Sequence, residues 1–239
     1  YYPFAYLINC KEKSGAIYNP KNTLVIIPAK EEAGSIGTVI KEIQSNGWHN
    51  ILVVNDLSLD ETADIARKNG AIVMDLPIHI GAWGAIQAGM LYALEKKYNV
   101  CVTLDGDGQH EAGYISKLVD KLEDSQVVTG SAPERGGPHK NIIWQLFRLT
   151  SGISLSDITS GFRAYSVDAM KILVAYDGSI LDYQCVGVLL LCKKHGLVSK
   201  EVMVKMNSRE HGNSRIFKNS FYIIRYLFST FLLIGAKRW

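Results

Sequence analysis

Apolar positions fall in short blocks that alternate between two periods. Thr23 to Ile27 is a β-branched run closed by Pro28, and it reads as a buried strand. Ser35 to Ser45 has Ile36, Val39, Ile40 and Ile43 at helical spacing, with Gly47 closing the helix. The pattern repeats with Ile51–Val54 as a strand, Leu57–Asn69 as a helix ended by Gly70, and Ala71–Met74 as a strand. Gly84–Lys97, with Ile86, Met90, Leu91 and Leu94 on one face, is the next helix. Val100–Leu104 and Val127–Thr129 are strands flanking a helix over Ala112–Leu122. Strict strand–helix alternation predicts a mostly parallel sheet with helices on both faces.

Beyond residue 130 the pattern loosens. Ala132–Lys140 is a Pro- and Gly-rich loop, Asn141–Leu149 a helix, and Ser151–Ser160 an irregular polar stretch. Val167–Val174 and Val186–His195 read as helices, Val198–Met206 as an alternating strand, and Arg209–Arg215 as a charged loop. No internal repeat or low-complexity tract occurs. Phe221–Ala236 is almost wholly apolar, broken by Arg225 and followed by Lys237-Arg238-Trp239. It is short for a spanning helix and fits one lying at a membrane interface. The alternative is a core helix packed on the domain or on a second subunit of a homodimer. The expected division is an N-terminal extension (1–22), one α/β domain (23–216) and a C-terminal apolar helix (217–239).

Composition narrows this little. The 239 residues carry a net charge of +3, too weak for nucleic acid and without a Lys/Arg stripe. An anionic ligand or membrane surface would suit it. Cys10, Cys101, Cys185 and Cys192 have no paired spacing, so they read as reduced cytosolic thiols. Tyr1–Leu7 lack the basic start and cleavage pattern of a secretory signal.

The polar clusters change the picture more, because they all follow predicted strands. Pro28–Glu32 follows the first, Asn55–Ser58 the second, Pro77–Gly81 the third and Asp105–Gln109 the fourth. Ligands of open α/β sheets bind at strand carboxyl ends. Asp105 and Asp107, one residue apart, cannot both be buried without a counter-charge. A hard divalent cation, Mg²⁺ or Mn²⁺, relieves that cost, and the Gln109 amide oxygen could add a ligand. Gly106 and Gly108 let a bulky ligand approach the backbone. The simpler alternative is a strand followed by an Asp-Gly turn. No G-x-G-x-x-G follows the first strand, which disfavours a dinucleotide oxidoreductase.

Taken in order, these motifs resemble those of the inverting family 2 glycosyltransferases of the GT-A (Rossmann-like) fold. Pro28-Ala-Lys-Glu-Glu32 resembles P-A-x-N-E-E, and Val53-Val-Asn-Asp-Leu-Ser-Leu-Asp-Glu-Thr62 resembles V-V-D-D-G-S-x-D-x-T. His79–Gly89 resembles N-x-G-x-G-G-A-x-x-x-G, Leu104–His110 matches L-D-G-D-G-Q-H, and Asp157–Arg163 matches D-x-T-S-G-F-R. Glu201–Ile216 resembles E-V-P-V-x-M-x-x-R-x-x-G-x-S. The set covers roughly residues 23 to 216 and is most similar to the dolichol-phosphate-mannose-synthase-like branch. Departures fall at Lys30-Glu31, Asn55, Leu57, Trp83, Cys185 and Gly187.

The resemblance implies a metal-dependent, membrane-peripheral enzyme at the cytoplasmic face. It would move a sugar from a UDP- or GDP-linked donor to a lipid-phosphate or saccharide acceptor. Pro28, Ala29, Glu32, Asp56, Gly81, Gly84, Asp105 and Gly106 would bind the nucleotide. Asp105, Asp107 and Gln109 would hold Mg²⁺ or Mn²⁺. Arg163 would be catalytic through contact with a phosphate of donor or acceptor, and Arg209, Ser214 and Arg215 would bind phosphate on the acceptor side. An alcohol acceptor would need a general base, for which Asp157 and Asp182 are the available carboxylates. Alternatives are a degenerate sugar-nucleotide-binding or scaffold protein and, less readily, a nucleotidyltransferase. Asp56 and Glu32 could instead be helix-capping groups, and Gly81 and Gly84 could serve packing. His110 and His211 could be structural or catalytic.

Overall fold

A computed structural model describes residues 19–135, 153, 155–157, 160–175 and 185–207. Seven strands form one sheet: β1 (Thr23–Ala29), β2 (Ile51–Asn55), β3 (Ile72–Asp75), β4 (Val100–Thr103), β5 (Val127–Ser131), β6 (Arg163–Ser166) and β7 (Ser199–Met203). Among the described residues six α-helices accompany them: α1 (Ile36–Ser45), α2 (Thr62–Lys68), α3 (Gly81–Glu95), α4 (Ile115–Asp120), α5 (Val167–Val174) and α6 (Cys185–Lys194). The strand order is β3-β2-β1-β4-β6-β5-β7. β1 lies parallel to both β2 and β4, and β6 runs antiparallel between β4 and β5. The mostly parallel α/β sheet expected from the alternation is therefore present.

Alternate residues of each strand feed two cores. Val25, Ile27, Val53 and Val102 pack with Ile36, Ile40, Ile43, Ile115 and Leu118 of α1 and α4. Leu24, Ile26, Leu52 and Cys101 pack on the other face with Met90, Met170, Leu173 and Leu191 of α3, α5 and α6. The central strands are thus covered on both sides, which explains their continuous apolar runs.

β1 continues through Pro28 to Ala29, one residue beyond the proline that the sequence pattern marks as its end. Residues 24, 26 and 28 of β1 turn their backbone towards β4, and the ladder with β4 ends at Ile26–Thr103. The missing N–H of Pro28 therefore removes no bond. β6 is the element that the sequence reading overlooked. Arg163-Ala-Tyr-Ser is only four residues long and carries a charge, yet all four are buried because the strand is central. α2 starts at Thr62, not at Leu57. Asp60 accepts the Thr62 N–H at 3.1 Å, and Leu57 has φ +58°, outside any helix. The expected helices over Asn141–Leu149 and 217–239 lie outside the described residues. Among those described, no helix is long and apolar enough to cross a membrane.

Cys101 and Cys192 are free and fully buried, in keeping with reduced thiols. Burial pushes both thiols up, Cys192 to about 11, and pushes the Tyr165 phenol to about 12. The nearby Arg163 guanidinium works against burial at Cys192 and Tyr165. Above about pH 9 the unfolded chain releases thiol protons that the folded chain keeps. The native state then binds more protons, so stability falls as pH rises, by up to about 1.4 kcal/mol per pH unit for each group. Urea unfolding midpoints should be flat near pH 8 and fall between about pH 9 and 10.5. Cys101→Ala should make that fall shallower. A midpoint unchanged to pH 10.5 would contradict this account.

Candidate active site at the sheet switch point

Chain direction through the sheet reverses at β1. The strands β1, β2 and β3 step one way, and β4 then lies on the opposite side of β1. In a doubly wound sheet, the crevice beyond the strand carboxyl ends at that point is the ligand site. β1 delivers Pro28–Glu32 there and β4 delivers Asp105–Gln109, so the tertiary structure joins these two clusters.

The β1 and β2 loops are laced together. Backbone N–H groups of Glu31, Glu32 and Ala33 donate to Ser58 Oγ (3.0 Å), Thr62 Oγ1 (2.8 Å) and Asp60 Oδ2 (3.2 Å). Burial raises the Asp60 carboxyl, but donors from Thr62 and Ala33 outweigh it and hold the group below the ordinary carboxylate range. Asp60 therefore stays ionised as the anchor of both loops. Glu31 and Leu57 occupy left-handed backbone (φ +52° and +58°), a conformation that side chains rarely adopt without external constraint.

Asp56 is 3% exposed, and its carboxylate has a structural task. It accepts the N–H groups of Ile80 at 2.8 Å and Gly81 at 2.9 Å, and His79 Nδ1 lies 2.7 Å from Oδ2. It thereby caps α3, which begins at Gly81 and not at Gly84 as the apolar spacing suggested. Gly81 (φ +80°) faces open space, whereas a Cβ at Gly84 would sit 2.9 Å from the Ile80 side chain. Gly84 thus serves close packing of the loop on the helix.

The carboxylate motif is braced on every side. Ser35 Oγ donates to the Gly106 carbonyl at 2.7 Å, and Glu42 accepts the Ala112 N–H at 2.8 Å. Glu32 packs beside Gly106, where its Cγ would lie 3.5 Å from an added Cβ. Asp107 is 4% exposed and its Oδ1 accepts the Gln109 N–H at 3.1 Å, fixing the turn. The Asp105 side chain is 47% exposed to the crevice. Among the described residues no group of three or more His, Cys, Asp and Glu could hold a metal by itself. Two carboxylates and an amide are a set of hard oxygen donors, of the kind that holds Mg²⁺ together with substrate phosphates instead of in an all-protein cage.

The second half of the chain closes on this motif. Thr103 Oγ1 donates to the Gly161 carbonyl at 2.8 Å. After β7 the chain bridges His110 to Met206, and the Asn207 N–H donates to the Gln109 carbonyl at 2.9 Å. Glu201 grips Ser156 through the backbone N–H (2.7 Å) and Oγ (2.8 Å), tying the irregular 155–157 stretch to β7. Asp157 is fully buried beside that anchor. Arg163 is 3% exposed, on the sheet face it shares with Tyr165, so it belongs to the interior layer and not to the open crevice. Asp182, Arg209, Ser214 and Arg215 lie outside the described residues.

Sequence reasoning did not single out Ser35, Glu42, Thr103 or Glu201 as supports of the site. Their signal is a long-range side-chain bond to backbone, which no local spacing carries.

Comparison with known proteins places these features in a wider set. The model of a family described as "Glycosyl transferase family 2" matches residues 24–176. An uncharacterized protein of Methanocaldococcus jannaschii is 32% identical over 209 residues, covering 82% of this chain and 86% of its own. An undecaprenyl-phosphate mannosyltransferase of Micrococcus luteus is 30% identical over 213 residues, covering 81% and 86%. Among solved structures, glucosyl-3-phosphoglycerate synthase of Mycobacterium tuberculosis, crystallised with Mn²⁺, UDP and glucosyl-3-phosphoglycerate, superposes with a TM-score of 0.68. That match is 19% identical and covers 90% of this chain and 80% of the other, a likeness of fold.

Proposed function

The chain belongs to glycosyl transferase family 2, and from that membership we propose that it transfers a sugar from a nucleoside-diphosphate sugar to a lipid phosphate, with inversion at the anomeric carbon. The observation that carries the reading is the Asp105–Asp107 pair following β4 at the sheet switch point, the first carboxylate half-exposed and the second buried. Asp105, Asp107 and the Gln109 amide would hold Mg²⁺ or Mn²⁺. When bound, the ion offsets negative charge developing on the departing diphosphate.

The protein's own share is positioning. The laced β1 and β2 loops form a rigid rim for the base and ribose, with Pro28, Ala29 and Glu32 on one side and the Asp56-anchored 79–81 turn on the other. Gly81, with open space where a Cβ would stand, leaves the backbone accessible to the nucleotide, while the buried Gly106 lets Ile27, Glu32 and Ile36 close in beneath the motif. A lipid phosphate is the favoured acceptor. A phosphate oxygen is already anionic and attacks without a general base, and the Micrococcus luteus relative is named for such an acceptor. The enzyme would then work as a peripheral protein at the cytoplasmic face of a membrane.

The test is transfer from radiolabelled UDP- and GDP-sugars to short-chain polyprenyl phosphate, with and without Mn²⁺. The expected result is a lipid-linked sugar formed from one donor and lost in EDTA. Tight nucleotide binding with no product from any acceptor would favour a degenerate binding protein instead.

A further inference from the structure

His110 closes the carboxylate motif, yet its ring is not in the crevice. The side chain is 1% exposed and stacks at 40° on Phe162, ring centroids 5.1 Å apart. Its backbone is held by the bridge to Met206. Nε2 lies 3.2 Å from Asp105 Oδ2, and Nδ1 is buried with no hydrogen-bond partner among the described residues. The hydrogen bonding of a fully buried imidazole is thus devoted to one oxygen of a half-exposed carboxylate.

The opposite wall is equally specific. A Cβ built on Gly161 would meet Asp105 Oδ1 at 3.0 Å and Oδ2 at 3.3 Å. Gly161 is itself pinned by Thr103, and the next residue, Phe162, is the ring on which His110 stacks. Asp105 therefore sits between a donor on one side and a bare backbone on the other. A half-exposed Asp without such supports would sample several rotamers, and ordering it on binding would weaken metal affinity.

We propose that His110 is a positioning residue. It donates Nε2–H to Asp105 Oδ2 and, with Gly161 as the facing wall, holds that carboxylate ready for a divalent cation in the nucleotide complex. The inference rests on the metal reading above and adds to it the means by which the exposed ligand is pre-ordered.

The test is Mn²⁺ binding followed by electron paramagnetic resonance, with UDP or GDP present, in wild type, His110→Phe, His110→Gln and Gly161→Ala. His110→Phe keeps the ring stack on Phe162 but loses the donor. It should weaken Mn²⁺ binding about 10- to 100-fold. His110→Gln, whose amide nitrogen reaches the same oxygen, should stay within about threefold of wild type. Gly161→Ala pushes the carboxylate from the other side and should match the Phe variant, which keeps the test decisive if His110→Phe does not fold. Wild-type affinity in a folded His110→Phe or Gly161→Ala protein overturns the proposal, as does a Gln variant as weak as Phe. Absence of saturable Mn²⁺ binding in wild type overturns the metal reading itself, and this inference with it.

Discussion

Asp107→Asn is expected to lower the rate of sugar transfer by about 10²- to 10³-fold, or about 2.7–4 kcal/mol of transition-state stabilisation. The substitution is nearly isosteric. Asparagine Oδ1 can still accept the Gln109 N–H that Asp107 receives at 3.1 Å, so the turn should persist. What is lost is one formal negative charge at a position only 4% exposed, where low dielectric makes each charge count for more than in water. Loss of the charge should also abolish the Mn²⁺ dependence of nucleotide binding. The two measurements to pair are kcat with saturating donor and the thermal unfolding midpoint. A midpoint within about 3 °C of wild type together with the rate loss assigns Asp107 to the chemistry. Unaltered transfer with Asn at this position would contradict the proposed site, and a collapse of the midpoint would make Asp107 a structural residue.

The second large effect concerns stability. Gly89 lies in the middle of α3, where glycine costs the helix about 1 kcal/mol relative to alanine. It is there because α3 runs directly against β1: an added Cβ would stand 2.6 Å from Ile26 Cγ2. Ile26 is fully buried in the central strand, so neither partner can withdraw cheaply. Gly89→Val should destabilise the protein by about 2–3 kcal/mol through overpacking, lowering the melting temperature by about 5–10 °C in a chain of this size. Ile26→Ala alone should cost about 2–5 kcal/mol by leaving a cavity. Combined, the two exchange volume between facing positions, and the double variant should be less destabilised than the sum by at least about 1 kcal/mol. Additive losses measured by urea denaturation would show that α3 and β1 do not meet at this pair.

Much of this molecule was legible before any coordinates. The apolar blocks from Thr23 to Thr129 mark five of the seven strands: β1, β2, β4 and β5 are buried on both faces and so apolar throughout, while β3, at the sheet edge, shows only a short apolar run before Asp75. Their boundaries were less well placed. The start of α3 at Gly81 depends on a carboxylate 25 residues earlier, and the start of α2 on the Asp60–Thr62 turn. β6 escaped notice because its burial comes from its neighbours β4 and β5, not from its own residues. Leu57 and Glu31 show the same dependence. Neither residue type favours left-handed backbone, and the lacing between their loops imposes it.

The candidate site divides in the same way. Asp105, Asp107 and the strand-end clusters are visible in the chain because hard-ligand chemistry needs those residue types close together in sequence. That Asp105 is open while Asp107 is buried, that Arg163 and Asp157 belong to the interior, and that His110 serves Asp105 are all matters of tertiary packing. The sequence by itself determined the layered α/β architecture, the polar clusters at strand ends and the resemblance to family 2 glycosyltransferases, since periodicity and motif spacing are local properties of the chain. Only the tertiary structure decided which clusters meet and which side chains face solvent. Those relations join residues such as Glu42 with Ala112 and Thr103 with Gly161, 70 and 58 positions apart, where no short-range pattern reaches.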